Sequence, residues 1–150
     1  MALNQNQFAL ETLKGSKIAG EVSNVMSVQF YSATASDILL PGELVVLSSA
    51  TPAGEMPYVA VGADETAAYF GVVLTNPIVE SFAVGEKLEI GILGSVVVCE
   101  ADGALSVGAE LAYDPAAKKV TALGAGEKLV GLALSKAAAD GDLIRVLVKA

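Results

Sequence analysis

Phe70-Gly71-Val72-Val73-Leu74-Thr75, a loop, and then Gly85-Glu86-Lys87-Leu88-Glu89-Ile90 form the stretch whose reading decides the fold. It returns in altered form near the C-terminus, as Val130-Gly131-Leu132-Ala133-Leu134-Ser135, a loop, and Gly141-Asp142-Leu143-Ile144-Arg145-Val146. Each copy is a short apolar run, a break, and a second run opened by Gly and an acid. Short runs bounded by turn residues read as β-hairpins, so the chain holds two related hairpin units. The spacing of such echoes is not constant, which argues against a solenoid.

The turn that opens the second run is itself repeated. Gly42-Glu43-Leu44, Gly85-Glu86-Lys87-Leu88, Gly108-Ala109-Glu110-Leu111, Gly126-Glu127-Lys128-Leu129 and Gly141-Asp142-Leu143 all place a Gly, an acid and a Leu at the head of an apolar run. The reading is a turn needing the backbone freedom of Gly, then a solvent-facing carboxylate, then an inward Leu. A metal could in principle sit on such acids, but they are single carboxylates without clustering, short of what a cation needs.

Outward from these units the rest also reads as strands. Runs are expected over 21–31, 43–47, 57–61, 68–75, 87–92, 95–100, 110–113, 118–122, 128–135 and 143–149, bounded by Gly, Pro, Asn or Asp. Short strands at regular spacing indicate an all-β sandwich or barrel. The best helical candidate, 135–140, is too short to matter. Alternation is clean in Leu88, Ile90 and Ile92, and again in Ile144, Val146 and Val148. In 129–134 both faces are apolar. Such a strand is covered on both sides by protein, or is a central strand whose outer face carries small residues; a partner subunit is one way to supply the second cover.

Composition removes whole classes of chemistry. The 150 residues include no His, no Trp and a single Cys, and the net charge is −8. Without imidazole there is no Ser-His-Asp or Cys-His arrangement and no common transition-metal ligand. No phosphate-binding Gly-rich loop opens a helix. A carboxylate pair remains formally available, but the acids are scattered over turns. No catalytic residue and no cofactor is expected. The acidity argues against nucleic acid and anionic membrane as partners, and also serves solubility. Cys99, in Val96-Val97-Val98-Cys99, reads as a buried, inert thiol. There is no signal-peptide pattern and no apolar run near the roughly 18 residues of a membrane span, so synthesis in a cytoplasm is expected.

Residues 1–16 differ in style. Asn4-Gln5-Asn6-Gln7 is an amide cluster flanked by Leu3, Phe8, Leu10 and Leu13. The expected organisation is an extended arm over 1–16 and a single β domain over 17–150. The domain would be a compact β-sandwich or jelly-roll-like barrel.

The order of segments resembles the capsid cement, or decoration, proteins of tailed bacteriophages. It runs from Lys14-Gly15-Ser16-Lys17-Ile18-Ala19 through Leu40-Pro41-Gly42-Glu43-Leu44-Val45-Val46 to Tyr69-Phe70-Gly71-Val72-Val73-Leu74. Gly94-Ser95-Val96-Val97-Val98 and Val107-Gly108-Ala109-Glu110-Leu111-Ala112-Tyr113-Asp114-Pro115 follow, and Asp140-Gly141-Asp142-Leu143-Ile144-Arg145-Val146 closes it. The resemblance implies a structural virion protein that binds the major capsid protein on the outside of the mature shell, at junctions between subunits, as a dimer or trimer. Leu3, Asn4, Gln5, Phe8, Leu10 and Leu13 are the expected capsid-binding arm, adding a strand to an exposed capsid edge. The alternatives are a fibre or spike module that binds a host receptor, and a small carboxylate hydrolase.

Overall fold

A computed structural model describes residues 30–76 and 78–150. Ten strands form there: β1 Phe30–Ala35, β2 Leu44–Leu47, β3 Tyr58–Val61, β4 Tyr69–Val73, β5 Lys87–Gly91, β6 Val96–Glu100, β7 Glu110–Asp114, β8 Lys119–Ala122, β9 Gly131–Ala133 and β10 Leu143–Val148. No helix forms among the described residues. The all-β expectation holds, and the barrel option describes it best.

The first five strands close into a barrel in the order β1-β3-β2-β4-β5. The last five form a sheet ordered β6-β10-β9-β7-β8, and a parallel bridge from Ala101 to Val120 draws its two edges together. Read around the ring, β6, β8, β7, β9 and β10 take the places of β1, β3, β2, β4 and β5. The chain is thus two versions of one unit, joined through Ile92 to Ser95.

The equivalence extends to individual residue pairs. Ala33 faces Leu88 and Tyr31 faces Ile90 across β1–β5; Cys99 faces Ile144 and Val97 faces Val146 across β6–β10. Leu44 faces Val72 in the first unit, and Glu110 faces Leu132 in the second. Val46 pairs with Ala60, and Ala112 with Thr121. Even the loop ties repeat: Leu39 and Phe82 exchange two backbone hydrogen bonds, as do Leu105 and Ala137. Gly71 and Gly131 make the same close approach. A methyl at Gly71 would lie 2.5 Å from the Gly91 carbonyl oxygen, and one at Gly131 would lie 2.6 Å from that of Leu147. The two echoing hairpins read from the sequence are therefore the visible parts of a full duplication.

A five-stranded ring has a narrow interior, because diameter grows with strand number. This explains the small residues inside. Ala33, Ala35, Leu39, Val45, Val59, Val73, Phe82, Leu88 and Ile90 fill the first unit. The equivalent Cys99, Ala101, Leu105, Leu111, Val120, Ala133, Ala137, Ile144 and Val146 are all buried in the second. Phe82 in one and Ala137 in the other is the largest exchange.

Two expectations needed adjusting. Of the run expected over 21–31, only Phe30 and Tyr31 are among the described residues. They open β1, which continues through Ala33 and Ala35, small residues that the narrow interior requires. The run over 128–135 shortens to Gly131–Ala133: at its start the Lys128 N–H leaves the sheet to donate to the Glu65 carbonyl of the first unit, and at its end the Ser135 hydroxyl accepts from the Arg145 N–H.

Candidate interaction surfaces

The Gly-acid turns come first, because they fix the loop tips. Gly42, Gly85, Gly126 and Gly141 have φ between 83° and 88°, a region only Gly enters cheaply. The acid that follows folds back on its own turn. Glu43 Oε2 accepts from Leu40 N–H at 2.8 Å, Glu86 Oε2 from Ala83 N–H at 3.1 Å, and Glu127 Oε2 from Gly124 N–H at 2.6 Å. Asp142 Oδ2 accepts from Ala138 and Ala139 N–H at 2.7 and 3.1 Å. These carboxylates satisfy loop N–H groups that would otherwise go unpaired. The solvent-facing reading fails for Glu43, which is 4% exposed. Its other oxygen pairs with Lys118 Nζ at 2.8 Å across the two units. Lys118 is the sole described non-Gly residue with positive φ, at 60°, a conformation that costs an L-residue about 1–2 kcal/mol.

The units meet along one buried layer. Leu44, Tyr69, Val72 and Leu74 point away from the interior of the first barrel and join the cluster of the second, beside Val97, Tyr113, Val130 and Val148. Tyr69 and Tyr113 stack edge to face, centroids 5.2 Å apart. Leu74 and Val97 converge over Gly91, where an added methyl would lie 3.0 and 3.1 Å from them. Burial pushes the Tyr69 hydroxyl up to about 12, aided by the charges of Asp64, Glu65 and Asp114. Tyr113 is raised further by burial and by Glu43. Both phenols stay protonated at neutral pH and pack within this layer.

Among the exposed apolar side chains, two groups lie at the ends of the first barrel. At the loop end of the first barrel, Ile38 and Val84 are each 65% exposed and Ile78 is 89% exposed. The Leu39–Phe82 tie sets Ile38 and Val84 on neighbouring loops, and the Asn76 side chain accepts from the Ile78 N–H at 3.0 Å. At the opposite end, where β1 begins and β5 ends, lie Tyr31, Leu47, Phe70 and Ile92. Tyr31 and Phe70 meet edge to face at 6.1 Å.

No group of three or more His, Cys, Asp or Glu able to hold a metal exists among the described residues. Cys99 is buried, and burial pushes its thiol up to about 12, the opposite of an activated nucleophile. Lys119 sits between Asp140, 2.8 Å away, and Glu100 at 3.4 Å, a surface network of modest worth. Leu3, Asn4, Gln5, Phe8, Leu10 and Leu13, the expected arm, lie outside the described residues. The apolar tip at Ile38, Ile78 and Val84 was missed in the sequence, because isolated Ile and Val beside turns do not show which way they point.

Comparison with known proteins agrees with this picture. The N base of the head fibre protein gp8.5 of bacteriophage phi29, a crystal structure, has a similar fold, with a TM-score of 0.58 at 15% identity. The likeness covers 82% of this chain and 95% of that one. No curated protein matches. The sequence profile of the phage cement proteins matches residues 27–150, which takes in both barrel units. A duplicated, imidazole-free β protein with an exposed apolar tip fits a structural component of a virion, and this chain belongs to the phage cement protein family.

Proposed function

We propose that this chain stabilises a mature phage capsid from outside, binding the major capsid protein at junctions between subunits as a homo-oligomer. Beyond the family, the observation that carries this reading is the apolar tip at Ile38, Ile78 and Val84. Three aliphatic side chains this exposed, on loops held by side-chain and backbone hydrogen bonds, suit a rigid contact with another protein. A clamp that binds only the assembled lattice stabilises that lattice by mass action. Several contacts per oligomer add avidity. The arm at 1–16, with Leu3, Phe8, Leu10 and Leu13 as anchors and Asn4 and Gln5 beside them, supplies a strand for an exposed capsid edge.

Full-length protein added to purified, expanded capsids should co-sediment with them and add density at lattice symmetry positions in electron micrographs. Deleting residues 2–13 should leave the melting curve of the β domain unchanged and lower capsid occupancy about tenfold. Undiminished occupancy would remove the arm from the mechanism. Labelled protein that attaches to host cells and ignores capsids would favour the receptor-binding alternative.

A further inference from the structure

The contact between the two units is asymmetric. The first unit offers its outer β2–β4 face, with Leu44, Val72 and Leu74. The second offers the end where β6 begins and β10 finishes, with Val97, Tyr113 and Val148. Because the units are equivalent, each also owns the surface the other used. The second unit's version of the outer face is Leu129, Leu132 and Leu134 on β9 and its flanks. The first unit's version of the receiving end is Tyr31, Leu47, Phe70 and Ile92. Among the described residues neither is fully covered: Leu134 is 44% exposed, Tyr31 45% and Leu47 55%, while Phe70 and Ile92 are partly buried.

We propose that copies of this chain join head to tail. The outer β9 face of one copy closes the open end of the first barrel of the next, repeating the joint made inside each chain. This deepens the homo-oligomer reading above by naming the surface. A heterologous contact of this kind closes into a ring or runs on as a filament, and a ring alternates first and second units around its circumference. The expected occupant is a second copy because both halves of one known joint are open among the described residues of the same chain. An arm folded over the barrel end would cover one half and leave the leucine face bare. It also answers the two-sided apolar run at 129–134, whose second cover then comes from a neighbour.

The inter-copy joint differs from the internal one in one respect. Glu110 stands where Leu44 is buried, and the Lys118–Glu43 pair has no counterpart, since Ala109 takes the place of Glu43. The joint is therefore weaker than the internal one. With −8 charges per copy, association strengthens as added salt screens the repulsion.

Sedimentation velocity on the full-length chain without capsids tests this. Oligomers should form at tens of micromolar, and more so with salt. Leu134→Glu and Leu47→Glu, both at exposed positions and so compatible with an unchanged melting curve, should each weaken association at least about tenfold. Mixed together they should give a one-to-one dimer and nothing larger, because one intact joint remains. Glu110→Leu should tighten association. A monomeric wild type overturns the proposal, including the case in which deleting residues 2–29 releases association and so identifies the arm as the cover. Undiminished oligomers in both Glu variants overturn it too. Co-sedimentation with capsids is a separate measurement: a wild type that oligomerises but ignores capsids would sink the attachment reading and leave the joint standing.

Discussion

The two barrel units share their register almost residue for residue and yet fill it differently. The first carries Phe82, Val73 and Ala33 inside, where the second carries Ala137, Ala133 and Cys99. The second interior is lined by the smaller residues, a loss that Leu111 in place of Val45 and Cys99 in place of Ala33 offset only in small part. Positions set by backbone geometry do not vary: Gly71 and Gly131 are both Gly, and Ala35 and Ala101 both Ala. The close approach at Gly71 and Gly131 tolerates no added methyl, whereas the packed interior tolerates exchange among apolar residues. The surfaces diverge furthest. The loop end of the first unit ends in three exposed aliphatic side chains, Ile38, Ile78 and Val84, while the equivalent end of the second has one, Val107, beside Ala104, Ser106 and Lys136. Duplication preserved the frame and left the first unit with the larger apolar tip.

The sharpest way to break this equivalence is at the shared glycines. Gly71→Ala and Gly131→Ala should each cost about 3 kcal/mol in urea unfolding, because the obstacle in each case is a backbone carbonyl. A neutral effect at either one would show that the close approaches are not equivalent. The next largest effect separates the filled joint from the free one. Leu74→Ala, in the buried layer, should cost about 2–4 kcal/mol. Its counterpart Leu134→Ala should cost under about 1 kcal/mol at concentrations where the chain is monomeric. Equal costs would mean that the outer face of the second unit is already covered within the chain.

A smaller effect comes from the Cys99 and Ala33 pair, and it depends on pH. Burial raises the Cys99 thiol from its ordinary value of 9.0 to about 12. The unfolded chain therefore loses this proton at lower pH than the folded one. Stability from this source is complete below about pH 9 and drains away toward pH 12, at up to about 1.4 kcal/mol per pH unit. Cys99→Ala, which restores the residue of the first unit, should flatten the fall in urea midpoint between about pH 9 and 11. The part due to Tyr69, whose hydroxyl is likewise raised to about 12, should remain. An unchanged slope would place the thiol in contact with solvent.

Much of the frame was legible because turns are local. Gly42, Gly85, Gly108 and Gly141 mark strand starts through a positive φ that Gly alone takes cheaply, and the runs after them alternate as half-buried strands do. The echo between residues 70–90 and 130–146 showed half of the duplication. The other half stayed hidden, since Ala33-Thr34-Ala35 and Cys99-Glu100-Ala101 share only their final Ala. Their kinship lies in facing Leu88 and Ile144 across a ladder, which only pairing reveals. Glu43 was misread for the same reason. Its burial depends on Lys118, far away in sequence and brought near by the packing of one unit on the other.

By itself the sequence determined the class of structure and the absence of imidazole chemistry, because strand period, turn residues and composition are properties of neighbours along the chain. The tertiary structure alone decided that the ten strands form two equivalent units, and which copy of each shared surface is buried between them and which is left bare. Those outcomes depend on contacts between residues distant in the chain, where a leucine at a covered face and one at an open face read the same.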